Sequence, residues 1–204
     1  MALPSCNEGW YACGFHVEYR GKVQLAVMVA DRRKGVFMTK SDLLAKLEYF
    51  DMVHGVTLRA IATLTDQDLE FRPRAEMRTA KELIFHIYAQ EKIIAEAVQQ
   101  GSFTAEAAGR SSPELASVAV EVQALSTVKD VQAYAENCHR AALSILRGMS
   151  EADILRPVES PFGAYPGWRY LDFAYDEHWH HRGQFYTYLR LLGKEPPMLY
   201  DYGG

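Results

Sequence analysis

Four long segments of this chain place apolar residues three and four positions apart, the spacing of one face of an α-helix. In the first the stripe is Leu43, Leu47, Phe50, His54, Leu58 and Ile61, and in the second it is Leu83, His86 or Ile87, Gln90, Ile94 and Ala97. The third carries Val131, Tyr134, Cys138, Ala142, Ile145 and Met149. The fourth, from about Trp168 to Leu192, carries Leu171, Ala174, His178, His181, Phe185, Tyr188 and Leu192. A helix with one apolar stripe must bury it against another element, so four of them predict an all-α four-helix bundle.

The helix ends are legible as well. Thr39-x-x-Asp42 (or Ser41), Thr79-Ala80-Lys81-Glu82 and Thr127-Val128-Lys129-Asp130 supply a hydroxyl and an acidic group for the unpaired N–H groups of a first turn. Gly101 closes the second helix, and Gly193 followed by Pro196 and Pro197 closes the fourth. Arg72-Pro73-Arg74 is a connector, since the residue before a proline disfavours helix. Residues 101–126 are polar and small, with a short helix expected around Glu114–Gln123. A connection of this length is a long crossover between helices two and three, so sequential helices need not be antiparallel neighbours. Residues 150–167 hold Pro157, Pro161, Gly163, Pro166 and Gly167 and are expected to form a loop.

Residues 1–37 differ from the rest and are expected to be an N-terminal extension to a bundle spanning 38–204. Phe15–Tyr19 and Val23–Val29 are β-prone runs around Arg20-Gly21-Lys22 and fit a hairpin. A lone two-stranded hairpin is marginal, so the alternative is an extension with little structure.

Composition narrows the classes of function. A formal net charge of −4 with scattered basic residues argues against nucleic acid as a partner. Three cysteines, Cys6, Cys13 and Cys138, show no paired spacing, which fits a reducing compartment. No apolar run has transmembrane length, and the N-terminus lacks a signal-peptide pattern, so a cytoplasmic protein with no membrane partner is expected.

The residues with chemistry concentrate in Glu177-His178-Trp179-His180-His181. At about 100° per residue, Glu177 lies roughly 40° to one side of His181 and His178 roughly 60° to the other, while His180 turns roughly 100° away. Glu177, His178 and His181 therefore all approach the interior, with ligand-type pairs at i,i+4 and i,i+3. A transition metal needs a further ligand from another helix, for which His86 and His54 are the stripe residues. A histidine on an apolar face is more often a satisfied core residue, and that reading is the stronger one for His54. His139 is expected to be a surface or half-buried residue. Cys138 on the third stripe reads as packing rather than as a nucleophile. No nucleophile elbow, phosphate-binding glycine loop or H-E-x-x-H motif is present.

His180-His181-Arg182-Gly183-Gln184, followed by Tyr188-Leu189-Arg190, Gly193 and Pro196-Pro197, resembles the signature of the DinB (DinB/YfiT-like) family. Phe71-Arg72-Pro73 with Arg78–His86, and Pro161-Phe162-Gly163, resemble two further segments of that family; the resemblance covers about residues 39–202. It implies a four-helix bundle, often a homodimer, carrying a divalent metal on three histidines. His86 and His181 match two of these, and Glu177 stands where the third is usual. The implied metal set is His86, Glu177 and His181, with His178 as the substitute third ligand and loss of the metal as the remaining outcome. The implied cofactor is a divalent ion, zinc or nickel. The implied activity is that of a metal-dependent transferase using a low-molecular-weight thiol on a small-molecule substrate. A non-catalytic bundle, with histidines lining a cavity for a small ligand or partner, is the competing expectation.

Overall fold

The computed structural model describes residues 38–203. The expectations for residues 1–37, including the hairpin, His16, Cys6 and Cys13, lie outside the described residues.

Four long helices are present: α1 (Lys40–Ala62), α2 (Ala80–Gln100), α5 (Val128–Gly148) and α7 (Gly167–Leu191). The crossover between α2 and α5 holds two short helices, α3 (Ala105–Gly109) and α4 (Ala119–Ala124). The second starts later than the expected Glu114, because Ser112 to Val118 form successive tight turns instead. The loop before α7 contains a one-turn helix, α6 (Glu151–Leu155), and a two-residue antiparallel pair, β1 (Pro157–Val158) with β2 (Tyr165–Pro166). A 3₁₀ turn (Asp66–Glu70) follows α1.

The caps form as the local sequence dictates. Thr39, Thr79 and Thr127 each accept from the backbone N–H three residues on, and Asp42, Glu82 and Asp130 each reach back to the threonine N–H. Each reciprocal pair satisfies two otherwise orphaned donors. Gly101 takes the left-handed conformation, φ 77°, that a residue without Cβ adopts at no steric cost. Gly167 opens α7 against α6, where a Cβ would stand 2.8 Å from the carbonyl oxygen of Asp153. That approach requires glycine.

Helix α2 packs most extensively on α5 and α7, while α1 packs on α5 and more lightly on α7. Side-chain pairs give the directions. Phe85 stacks on Tyr134 and Glu91 meets His139, so α2 and α5 run parallel. His86 meets His181 and Tyr188 bonds the Arg78 carbonyl, so α7 is antiparallel to α2. Lys40 reaches the carbonyls that end α5, so α1 is antiparallel to α5. The order is up-down-down-up, and the long crossover is what lets the chain return to start α5 alongside α2. Phe50, Phe85, Phe185, Leu47, Ile61 and Ile84 are fully enclosed among the four helices. Burying side chains of this kind contributes roughly 1.5–3 kcal/mol each.

Candidate metal centre on the α2/α7 seam

His86 lies in the second turn of α2 and His181 in the middle of α7, and antiparallel packing sets them face to face. Their Nε2 atoms are 3.1 Å apart, with the rings at 86°. Glu177, one turn earlier on α7, places Oε2 3.2 Å from His181 Nε2. The three donor atoms lie within 4.8 Å of one another. His181 is buried, whereas the Glu177 side chain is 44% exposed and forms the solvent edge of the cluster.

The outer nitrogens are already committed. His86 donates from Nδ1 to the Ser111 carbonyl at 2.6 Å, and His181 donates from Nδ1 to Gln184 Oε1 at 2.8 Å. The Gln184 amide orientation is consistent, because its Nε2 donates to His180 Nε2 at 3.0 Å. The hydroxyl of Ser111, in the crossover, bonds Gln90 Oε1 at 2.6 Å and so ties that loop to α2. With both Nδ1 atoms protonated, the two inward Nε2 atoms present lone pairs, as does the Glu177 carboxylate. Three acceptors thus converge with no fixed donor among them.

Burial, with the charge of Arg78 beside it, pulls the His86 pKa down to about 4, so this imidazole is neutral at pH 7. Contact with the His181 ring outweighs partial burial and holds the Glu177 carboxyl below its ordinary range. Neutral imidazoles and an ionised carboxylate are the states in which these groups ligate a cation. Donor atoms bound at about 2.0–2.2 Å in tetrahedral geometry stand a little over 3 Å apart. The two spacings centred on His181 Nε2, 3.1 and 3.2 Å, are of that size.

Other histidines named from the sequence stand elsewhere. His180 faces outward, as its helical position predicts. His178 is 1% exposed and turned into the core, where Nε2 meets Thr57 Oγ1 at 2.8 Å. His54 stacks on His139 at 3.9 Å and bonds the Tyr88 hydroxyl at 3.0 Å. The expectation that His139 is a surface or half-buried residue is corrected. It is 3% exposed, and its two ring nitrogens meet Glu91 and, at 3.0 Å, Asp51. Two carboxylates supply the hydrogen-bond acceptors that make this burial tolerable. Cys138 is buried, and burial raises its thiol to about 11, in keeping with a packing role.

These residues form a second polar cluster that sequence reasoning missed. Glu91 on α2 is fully enclosed between His139 of α5 and His178 of α7, whose Nδ1 is 3.6 Å from Glu91 Oε2. Burial alone would raise the Glu91 pKa, but the two imidazoles outweigh it and hold the carboxyl well below its usual range. Burial would lower the His139 pKa, and Glu91 with Asp51 reverses that and raises it. The one available signal was an acidic residue at a position flanked by Ile87, Tyr88 and Ile94, on a helix that is buried nearly all round.

A four-helix bundle with two imidazoles and a carboxylate converging across one seam defines a helical-bundle protein with a metal-ligand type of site. The chain belongs to the DinB family, whose family model matches residues 38–203. A DinB-like protein of Bacillus cereus is 17% identical with a TM-score of 0.62, covering 81% of this chain and 100% of that one. A DinB-like protein of Bacillus subtilis is 19% identical with a TM-score of 0.59, covering 76% and 97%. Both likenesses are of fold. No functionally curated protein matches the chain. Among the described residues, no helix is long and apolar enough to cross a membrane.

Proposed function

We propose that this chain is a divalent-metal enzyme in which His86, Glu177 and His181 hold the ion, and that it acts as a transferase using a low-molecular-weight thiol. The observation carrying the metal assignment is the triangle of inward-facing acceptors. Its Nε2–Nε2 and Nε2–Oε2 separations of 3.1 and 3.2 Å need a cation or an extra proton between them. Zinc and nickel both suit an imidazole-rich site with one carboxylate.

Bound, the ion would supply a Lewis acid that lowers the pKa of a thiol and keeps it as thiolate at neutral pH. The remaining tasks fall to the chain. Ser111 and Gln184 hold the imidazole tautomers that leave Nε2 free. Glu177, at the solvent edge, offsets one unit of the ion's charge and leaves the outward side open to a small-molecule substrate. The thiol reading draws on the family resemblance, with the open solvent edge in support.

Metal analysis of protein purified without a histidine tag tests the assignment, and a conjugation screen with small thiols tests the activity. Tight, stoichiometric zinc or nickel with no thiol transfer would leave the metal assignment standing and sink the transferase. Absence of metal, with no rise in melting temperature on adding either ion, would leave a non-catalytic bundle. We further propose a homodimer in the cytoplasm, with residues 38–204 forming the bundle domain and 1–37 an extension. Light scattering on the purified chain tests the dimer.

A further inference from the structure

Gln90 is a polar residue on the apolar stripe of α2, one turn beyond His86. A carboxamide in such a place is costly unless its groups are bonded. Its oxygen is bonded, because Oε1 accepts from the Ser111 hydroxyl at 2.6 Å. The Ala108 carbonyl lies 2.8 Å from the same hydroxyl but already takes the Ser111 N–H, which leaves the hydroxyl proton for Gln90.

Ser111 is buried and faces two ways. Its hydroxyl is held by Gln90, and its carbonyl oxygen accepts from His86 Nδ1 at 2.6 Å. The path leaves α2 at Gln90, passes through the crossover and returns to α2 at His86.

The turn that carries Ser111 is closed within itself, since the N–H groups of Ser111 and Ser112 bond the carbonyls of Ala108 and Gly109. Those bonds give the turn its shape and do not set where it sits on α2. Besides the His86 bond itself, the polar side-chain contacts that seat this turn on α2, among the described residues, are Arg110 with Glu96 and Ser111 with Gln90. The Arg110 side chain is 50% exposed, and ion pairs open to solvent hold little. The bond to buried Ser111 is the stronger anchor, because breaking it strands a hydroxyl away from water. Gln90 therefore decides whether the Ser111 carbonyl stands within reach of His86.

The tautomer of a neutral imidazole is set by the bond its outer nitrogen makes. With the carbonyl displaced, the proton is free to move to Nε2, and an Nε2–H facing His181 and Glu177 donates a hydrogen bond and cannot ligate.

We propose that Gln90 is a positioning residue of the metal centre: it docks the crossover so that the Ser111 carbonyl keeps the His86 proton on Nδ1 and leaves Nε2 free. The consequence for metal affinity rests on the assignment of His86, Glu177 and His181 as ligands. The consequence for the His86 tautomer does not.

The test is a long-range proton–nitrogen correlation spectrum of the nitrogen-15-labelled, metal-free, full-length protein near neutral pH. It separates protonated from lone-pair ring nitrogens, and the His86 signals are those lost in His86→Asn. Wild-type His86 should carry its proton on Nδ1. Gln90→Leu should move His86 toward the Nε2–H tautomer and leave His181, which Gln184 holds, unchanged. Gln90→Glu keeps an acceptor oxygen and should retain the wild-type pattern. Ser111→Ala breaks the same bond from the crossover side and should match Gln90→Leu, which keeps the test open should the latter misfold. Chelator competition should show zinc affinity about tenfold lower in either variant, and no lower in the double variant, since one bond is lost in all three. A His86 pattern unchanged in the folded variants would overturn the proposal whatever the metal does. So would a wild-type His86 with its proton on Nε2, or losses of affinity that add in the double variant. A wild type that binds no zinc, with the His86 proton still moving in Gln90→Leu, would overturn the metal assignment alone.

Discussion

His86 and His181 point their Nε2 atoms at each other from two antiparallel helices, 3.1 Å apart, while each Nδ1 is held by an amide-type oxygen behind it. Tautomers fixed in this way leave a site that is short of positive charge. Zinc or nickel should therefore raise the melting temperature of the wild type. The His181→Ala variant should lose that rise entirely, as followed by thermal denaturation with and without ion.

Glu177 and His178 are neighbours in sequence that face different sites. Glu177→Gln should weaken metal affinity about 10- to 100-fold, whereas His178→Ala should lower stability and leave the affinity of the protein that still folds nearly unchanged. Isothermal titration of both variants checks this. Equal affinity of Glu177→Gln and wild type would remove Glu177 from the ligand set.

Gln184 is expected to act through His181. Gln184→Leu should free the imidazole to rotate and reduce metal affinity about tenfold, while Gln184→Glu, which keeps an acceptor at that place, should retain most of it. Competition with a chromogenic chelator measures the difference.

Glu91 is a buried anion that two imidazoles stabilise, and removing its charge strands His139 and His178 in the core. Glu91→Ala should cost about 3–5 kcal/mol of unfolding free energy. Replacing Glu91 and His139 together by Leu should cost much less than the sum of the single changes, because no unpaired charge remains between them. Urea denaturation of the two single variants and the double variant gives the coupling directly.

The same cluster sets a pH profile. Glu91 is depressed in the folded state, so its support is present above the unfolded value of about 4.3 and is lost as pH falls through its folded value. His139 is raised, so its support is complete below about 6.5 and is lost as pH rises through its folded value. Burial, helped by the His139 charge, lowers His54 to about 3, so below about pH 6.5 the unfolded chain takes up a proton that the folded chain refuses. Urea midpoints should fall between pH 6.5 and 5 and more steeply below about 4.3, with a gentler fall above neutrality. His54→Gln should flatten the slope between pH 6.5 and 5.

The sequence itself determined the helices and much of the metal candidate. Threonine caps and three- and four-residue stripes act within a few positions, so α1, α2, α5 and α7 were legible to within one to three residues of their observed bounds. The pitch of a helix likewise put Glu177 and His181 on one face whatever surrounded them. Only the tertiary structure decided the rest. Glu177 and His178 differ by about 100° around α7, so which of them meets His86 depends on how α7 is rotated against α2. The packing turns Glu177 to the seam and gives His178 to Thr57. Glu91, Asp51 and His139 come from three helices. Burial and charge pairing are set by neighbours distant in sequence, and local pattern carries no record of them.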